Sequence, residues 1–566
     1  MATPAWAAPV VQLGNYVASN QTGQSGSSPL IVIYVSDAAP DPLAEDIEGM
    51  NFTFQLNAGT GTVPSITTVD LTTNTVWTGN VNGPFGGIDP ASGNGPQWQS
   101  YAVTTSFDTN TNTGTRINPN GALANVTLNT AGASAGTIPV KLIGTKDPTR
   151  DTSFSDGSGN VVPSSITNGT LTIVNNPVVY WTGASSSSWD TNSNWSTGSS
   201  TTSAQDAYFG NHIPPTGATL SAGNNQAVNN LWFDGSYTLG GGGSITVAGG
   251  KVTVFTGSNV VINSQIDGAA GLTLSGGGSL TLGGSVSNVY SGDTTVNAGT
   301  LTLAKSGGAL DIPGGNLFIN GATVQFNAPA QTANSIAVTL TNGTNTATMS
   351  LAAGASQTFA SVSGNGTIAF PATVGPTLTV GNSTADNTFA GAITGAGSLI
   401  KNGSNTLTLS GTSLSLPAVQ VNAGTLTFSN VAPNLAGTTL NGTWTISGTV
   451  NLPAGNNVTT IGPSGSVTLV GPTASFPALG QLAANQGALT LNGAAPLTTP
   501  GGLVNDGTIV LRNIHDTLNV TGGVANSGTP GAAGSITLSP SLLGGEQQLT
   551  ANFIRQNVLA IQSGKV

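Results

Sequence analysis

Cysteine is absent from the 566 residues, and charge is scarce: 10 Lys+Arg and 21 Asp+Glu amount to 5% of the chain, against about 25% in an ordinary soluble domain. Without thiols there are no disulfides and no thiolate zinc sites. Two histidines leave little for transition metals. A net charge of −11 without any Lys/Arg cluster excludes a nucleic-acid partner. No apolar run approaches the roughly 18 residues of a membrane-spanning helix. The long, straight-chain residues that favour helices are also few, with only 3 Met.

Glycine is plentiful at 80 residues, and Thr, Val, Ser and Asn make up much of the rest. Disordered chains combine low hydrophobicity with high net charge. Here mean hydropathy is +0.11 and β-branched residues recur throughout, so the chain folds, and it folds all-β. The opening MATPAWAAP places small residues at Ala5, Ala7 and Ala8, as a secretory signal does near its cleavage site, but it lacks a basic start and an apolar core. Two readings stay open: a nearly mature exported chain, or a flexible start with no targeting role.

Four regions follow from the patterning. Residues 1–177 hold 11 acids and 4 bases and carry strand-like runs such as Leu30-Ile31-Val32-Ile33-Tyr34-Val35 and Met50-Asn51-Phe52-Thr53-Phe54-Gln55-Leu56. Gly/Pro/Asn turns divide them, which predicts an antiparallel β-sandwich. The order of strand, acidic loop and aromatic-rich strand resembles the cohesin-like sandwich modules of bacterial surface proteins. Residues 178–239 form an aromatic-rich cap or junction: nine of the 31 aromatics fall in the 58 positions from Tyr180 to Tyr237. Residues 240–545 repeat short strands and glycine turns, and residues 546–566 form a C-terminal segment.

The repeat is visible in GLTLSGGGSLTLGG and VNAGTLTLA, echoed by GSLIKNGSNTLTLSG and VQVNAGTLTFS; Leu280 to Leu407 is 127 positions and Val296 to Val421 is 125. These segments resemble the autotransporter-associated β-strand repeat of bacterial passenger regions, and WDTNSNW is similar to what often precedes such repeats. The resemblance implies a right-handed parallel β-helix on an exported chain, and no single activity, since passengers include adhesins, proteases and passive stalks. The ending LTANFIRQNVLAIQSGKV lacks the amphipathic strands of an outer-membrane barrel, so secretion by another route, or an assembled product, is expected.

Elementary physics agrees. In Thr300-Leu301-Thr302-Leu303 alternate side chains point to opposite faces, Leu inward and Thr outward. Corners need positive φ, which Gly adopts freely and Asn tolerates; Asn297-Ala298-Gly299 and Asn402-Gly403 fall where corners belong. Stacked coils would set like charges on one another, so a solenoid favours sparse charge. Coils of about 20 residues are expected.

Candidate sites are few. Trp181, Trp189 and Trp195 cap the solenoid or form a sugar-stacking surface. Phe553, Ile554, Val558, Leu559 and Ile561 form a strand that either caps its own molecule or adds to a neighbour's sheet edge. Asp37, Asp41, Glu45, Asp46 and Glu48 put five carboxylates into 12 residues, a solvated loop or a calcium site; Asp147, Asp151 and Asp156 form a second such loop. Asp506, Arg512, His515 and Asp516 are the nearest approach to a hydrolytic cluster, and His212 lies in a turn. No catalytic set and no organic cofactor is expected. The reading is a non-enzymatic extracellular structural protein that self-assembles into a filament, sheath or surface layer; the alternative is a cell-surface adhesin or glycan-binding protein. Its partners would be further copies of itself or a surface polysaccharide.

Overall fold

The computed structural model describes residues 10–21, 30–36, 49–56, 62–78, 85–88, 97–103, 121–142, 153–155, 161–162, 165–210, 218–219, 224–381, 383–513, 516–526, 535–538, 548–550, 553–555 and 559–561. Strands dominate, with two short 3-10 turns at Asn192–Asn194 and Pro477–Gln481 and no α-helix among the described residues. Two compact units divide the chain, Met1–Val260 and Val261–Val566.

In the first unit, alternating apolar residues build two facing sheets. One runs Ser165–Thr167, Val10–Leu13, Leu30–Ser36, Gly121–Asn129, Ser65–Asp70. The other runs Val161–Val162, Ser153–Ser155, Gly49–Leu56, Gly136–Leu142, Gly169–Val174, Asn15–Ser19, with Gln97–Val103 also on Gly49–Leu56. Val11, Ile31, Ile33, Phe54, Trp77, Val126, Val140 and Leu171 fill the space between them.

Most pairs are antiparallel, as expected, but two are parallel: Val10–Leu13 with Ser165–Thr167, and Asn15–Ser19 with Gly169–Val174. The cause is that both chain segments switch sheets at one place, the first at Gly14 and the second at Asn168. A Cβ on Gly169 would sit 2.0 Å from the carbonyl oxygen of Gly14. Only a residue without a side chain permits that crossing.

Parallel stacking then begins at Val178, well before residue 240. Val178–Tyr180 pairs in parallel with Asp206–Phe209, and that strand with Gln226–Phe233. The aromatic region is therefore built as coils already. Its inward positions carry large rings where later coils carry Leu and Val, so composition alone had set it apart.

The second unit is a parallel β-solenoid. Leu280, Leu301, Val324, Met349, Ile368 and Ile393 stack in one inward ladder, while Thr300, Thr323, Thr348 and Thr367 stack beside it on the outward side. Each inward side chain is at most 1% exposed. Coil length varies: Met349 stacks on Ile368, 19 positions on, and Ile509 on Ile536, 27 positions on. The expected corners hold, with Gly299 at φ 72° and Gly403 at φ 74°.

The C-terminal segment continues the ladder on its own chain. Phe553–Arg555 follows Val524–Asn526, and Leu559–Ile561 follows Ser535–Leu538. Val558 lies outside the described residues.

Candidate functional site at the aromatic junction

Strand alternation sorts the aromatic residues into two sets. Tyr180, Tyr208 and Trp232 are in register on one side of the first three coil strands. They face the sandwich, where Tyr208 and Trp232 form a small core with Val17 and Val178, against which Tyr180, Val174 and Phe255 pack. Tyr180 and Tyr208 meet edge to face at 5.7 Å. The Tyr180 hydroxyl donates to the carbonyl of Val17 at 2.9 Å, and the Tyr208 hydroxyl to that of Asn15 at 2.8 Å. Burial pushes both phenols far above their ordinary range, so they act as fixed donors.

The positions one residue further on point inward. Trp181, Trp189, Trp195, Phe209, Phe233 and Tyr237 pack into one interior cluster. Trp181 and Trp195 meet at 5.1 Å, Trp189 and Trp195 at 5.0 Å, and Phe209 stacks on Phe233 at 4.8 Å. Exposure is 0% for Trp181 and Trp189 and 2% for Trp195. A ring with neither face in solvent cannot receive a sugar, so of the two readings of these three residues, cap or sugar-stacking surface, the second is not built here. They form the core of the cap.

The motif Trp189-Asp190-Thr191-Asn192-Ser193-Asn194-Trp195 acquires a physical meaning. Asn194, fully buried, accepts the backbone N–H groups of Ser185 and Ser186 at 2.8 and 2.9 Å, and donates to the Ser186 hydroxyl and the Ser188 carbonyl. Trp195 gives its indole N–H to the Trp189 carbonyl at 2.8 Å, and Trp189 gives its own to Thr201 Oγ1 at 3.2 Å. Asp190 accepts from Asn224 and Gln226. The loop closes the coil by satisfying its own polar groups.

Two buried acids, neither singled out by the sequence reading, tie this region together. Asp206 accepts the side-chain amides of Asn229 and Asn230 and the indole N–H of Trp232, the last at 2.9 Å. Asp234 accepts the backbone N–H of Asn15 at 2.8 Å and its side-chain amide at 3.0 Å. Burial raises the Asp234 carboxyl to about 6, against the opposing pull of the Asn15 bonds. A Cβ on Gly14 would lie 2.6 Å from Asp234 Oδ2. An Asp in a run of Gly, Ser and Tyr carries no signal of its own, because its partner is more than 200 positions away.

Among the described residues the remaining candidates do not converge. Asp516 is buried and accepts the backbone N–H groups of Gly493, Ala494 and Asn513 at 2.6, 3.2 and 2.6 Å. It is a turn clamp between coils. Arg512 is exposed, while Asp506 is half-buried with its N–H on the Asn485 carbonyl. His515 and His212 lie outside the described residues, as do Asp37, Asp41, Glu45, Asp46 and Glu48, and Asp147, Asp151 and Asp156. Among the described residues no group of three or more His, Asp or Glu is placed to hold a metal ion, and no helix is long and apolar enough to cross a membrane.

No family model matches the chain and no curated protein matches it, so the autotransporter-repeat resemblance has no support beyond the sequence segments that suggested it. Among solved structures, the chain is similar over 30% of its length to the sixth cohesin of scaffoldin B from Acetivibrio cellulolyticus, solved with a dockerin, at 18% identity, 99% of that chain and a TM-score of 0.21. A non-cellulosomal cohesin from the archaeon Archaeoglobus fulgidus matches at 18% identity over 30% of this chain and 92% of that one, with a TM-score of 0.19. A type I cohesin from Clostridium thermocellum, also in complex with its dockerin, matches at 12% identity over 31% and 97%, with a TM-score of 0.21.

Proposed function

We propose that this is a non-enzymatic, extracellular structural protein, and that its solenoid is the element through which copies assemble into a filament, sheath or surface layer. The observation that carries the reading is the use made of charge in the second unit. Lys305, Asp311, Lys401 and Asp516 are each at most 1% exposed. Lys401 gives its ammonium to the carbonyls of Asn402 and Gly403 at 2.5 and 2.9 Å and to Asn405 Oδ1 at 3.0 Å. Lys305 gives its own to the Gly283 carbonyl at 2.7 Å. Asp516 holds three backbone N–H groups. Lys305 and Asp516 peg adjacent coils together, and Lys401 clamps its own turn.

The outward positions suit a passive surface. Thr300, Thr302, Thr406, Thr408, Thr425 and Thr427 repeat from strand to strand, uncharged and at the roughly 4.8 Å spacing of paired strands. Such a surface gives copies no like charges to repel on contact. The lack of cysteine removes thiol oxidation as a route of damage outside the cell. Negative-stain electron microscopy and light scattering on the purified full chain test the reading. Growing rods or sheets are expected; particles that stay single at every salt and calcium concentration would overturn it.

A further inference from the structure

Asp311, 0% exposed, sits just beyond Thr300–Leu303 in the interior of the second unit. Its Oδ2 accepts the backbone N–H of Lys305 at 3.3 Å, but its Oδ1 has no hydrogen-bond partner. One coil on, Gln331 is 1% exposed; its Nε2 donates to the Pro329 carbonyl at 2.9 Å, and its Oε1 is also without a partner. The two residues are in step. The N–H groups of Asp311 and Ile312 both go to the Gln331 carbonyl, and Ile312 bridges Thr332 in parallel. Their side chains therefore leave the ladder on the same side, one above the other.

Two buried acceptors on neighbouring rungs, each lacking a donor, are rare in folded proteins. The Thr332 hydroxyl on the same rung is also buried without a partner, but strand alternation sends it to the opposite side from Gln331, and the donors on the Asp311 side are engaged elsewhere. Lys305 gives Nζ to the Gly283 carbonyl at 2.7 Å. The Tyr290 hydroxyl lies 2.8 Å from Thr294 Oγ1 and 3.2 Å from the main-chain oxygen of Asp311, and Asn288 Nδ2 donates to that same oxygen at 2.8 Å. Lys305 and Tyr290 are the titratable groups that interact with the carboxyl.

We propose that Asp311 is held as the neutral acid and donates its Oδ1–H to Gln331 Oε1, forming a proton-dependent clasp between adjacent coils. One proton turns two orphan acceptors into a donor and an acceptor, which no rearrangement of the neighbouring amides achieves. Burial acts in the same direction, raising the Asp311 carboxyl well above its ordinary range and lowering the Lys305 ammonium. The folded chain then binds this proton more tightly than the unfolded chain. The clasp is fully made below the ordinary carboxylate range, and its contribution is lost as pH rises through the raised value.

Infrared spectroscopy of the full chain reads the proton directly. At about pH 5.5, where an ordinary Asp is ionised, the wild-type minus Asp311→Asn difference spectrum should contain a protonated-carboxyl C=O band that fades as pH is raised. A difference spectrum showing only carboxylate bands at that pH would overturn the clasp. Asp311→Asn supplies an N–H toward Gln331 at every pH, so in an Asp234→Asn background, where the other raised carboxyl among the described residues is gone, its melting temperature should lack the fall that the Asp311 protein shows between the carboxylate range and neutrality. Identical pH profiles for the two proteins would equally defeat the proposal. Should Asp311→Asn fail to fold, the spectrum of Asp234→Asn, which removes the other raised carboxyl, recorded from about pH 5.5 to about pH 9 decides, by the presence or absence of the remaining acid band.

Discussion

Asn15 gives both its main-chain and its side-chain N–H to the carboxylate of Asp234, across 219 positions of sequence. The bond pair anchors the strand Asn15–Ser19 of the sandwich to the turn after the coil strand Gln226–Phe233. Tyr208 adds a third bond from the coils to Asn15, through its carbonyl. One short segment thus holds sandwich and first coils in a single compact unit.

The Asp234 carboxyl sets a pH dependence with a definite sign. Its folded value is raised from 3.8 to about 6, so the folded state holds the proton more tightly than the unfolded chain. This contribution is complete below about pH 4 and is lost as the pH rises to about 6, amounting to about 3 kcal/mol. Asp234→Asn should flatten the urea-unfolding profile of the first unit over that window. An unchanged slope would show that Asp234 is not the linked group.

Asn194→Ala should damage the cap out of proportion to the atoms removed. It removes the acceptor of the Ser185 and Ser186 N–H groups; both residues are exposed, so water replaces it in part and about 0.5–1.5 kcal/mol per lost bond sets the scale. Trp189→Ala removes a ring that touches Trp195 and Phe209 and should cost about 3–5 kcal/mol. Denaturant midpoints measure both. Wild-type tryptophan emission should be blue-shifted, because these indoles are out of water.

Lys401→Met is expected to destabilise the second unit although Met is apolar and of similar length. Lys401 occupies a ladder of Val380, Val421 and Ile446, where an apolar residue looks the natural choice. Its ammonium, however, serves the carbonyls of Asn402 and Gly403 and the Asn405 side chain, and these oxygens remain when the donor goes. A loss of about 1–3 kcal/mol follows, read from the thermal midpoint.

Two glycines with positive φ should respond unequally to alanine. Gly354 has φ 78° and nothing within 4 Å of a built Cβ, so Gly354→Ala meets backbone strain alone, about 1–2 kcal/mol. Gly364 has φ 102°, and its Cβ would fall 1.9 Å from the Leu340 carbonyl oxygen of the coil beneath. Gly364→Ala must push adjacent rungs away from each other and should cost about 3 kcal/mol or more. Equal losses would contradict the stacking described here.

Residue order alone settled the all-β class, the sandwich, the inward Leu and outward Thr of each coil strand, and the glycine corners. These follow from local rules: strand alternation, and the freedom of glycine at positive φ. Neither the sheet a strand joins nor the residue it meets is local. The copies GSLTL and NTLTL look equivalent, yet Ser279–Leu282 stacks on Thr300–Leu303 in one sheet, while Thr406–Leu409 belongs with Thr425–Phe428 in another. Corner lengths, in coils that run from 19 positions (Met349 to Ile368) to 31 (Leu518 to Leu549), shift the repeat from face to face. Likewise WDTNSNW announced a cap, but packing had to choose that its indoles turn inward and that Asn194, Asp206 and Asp234 hold the junction. A polar side chain's role depends on the donors folding brings to it, and for Asp234 the partner is Asn15, far along the chain.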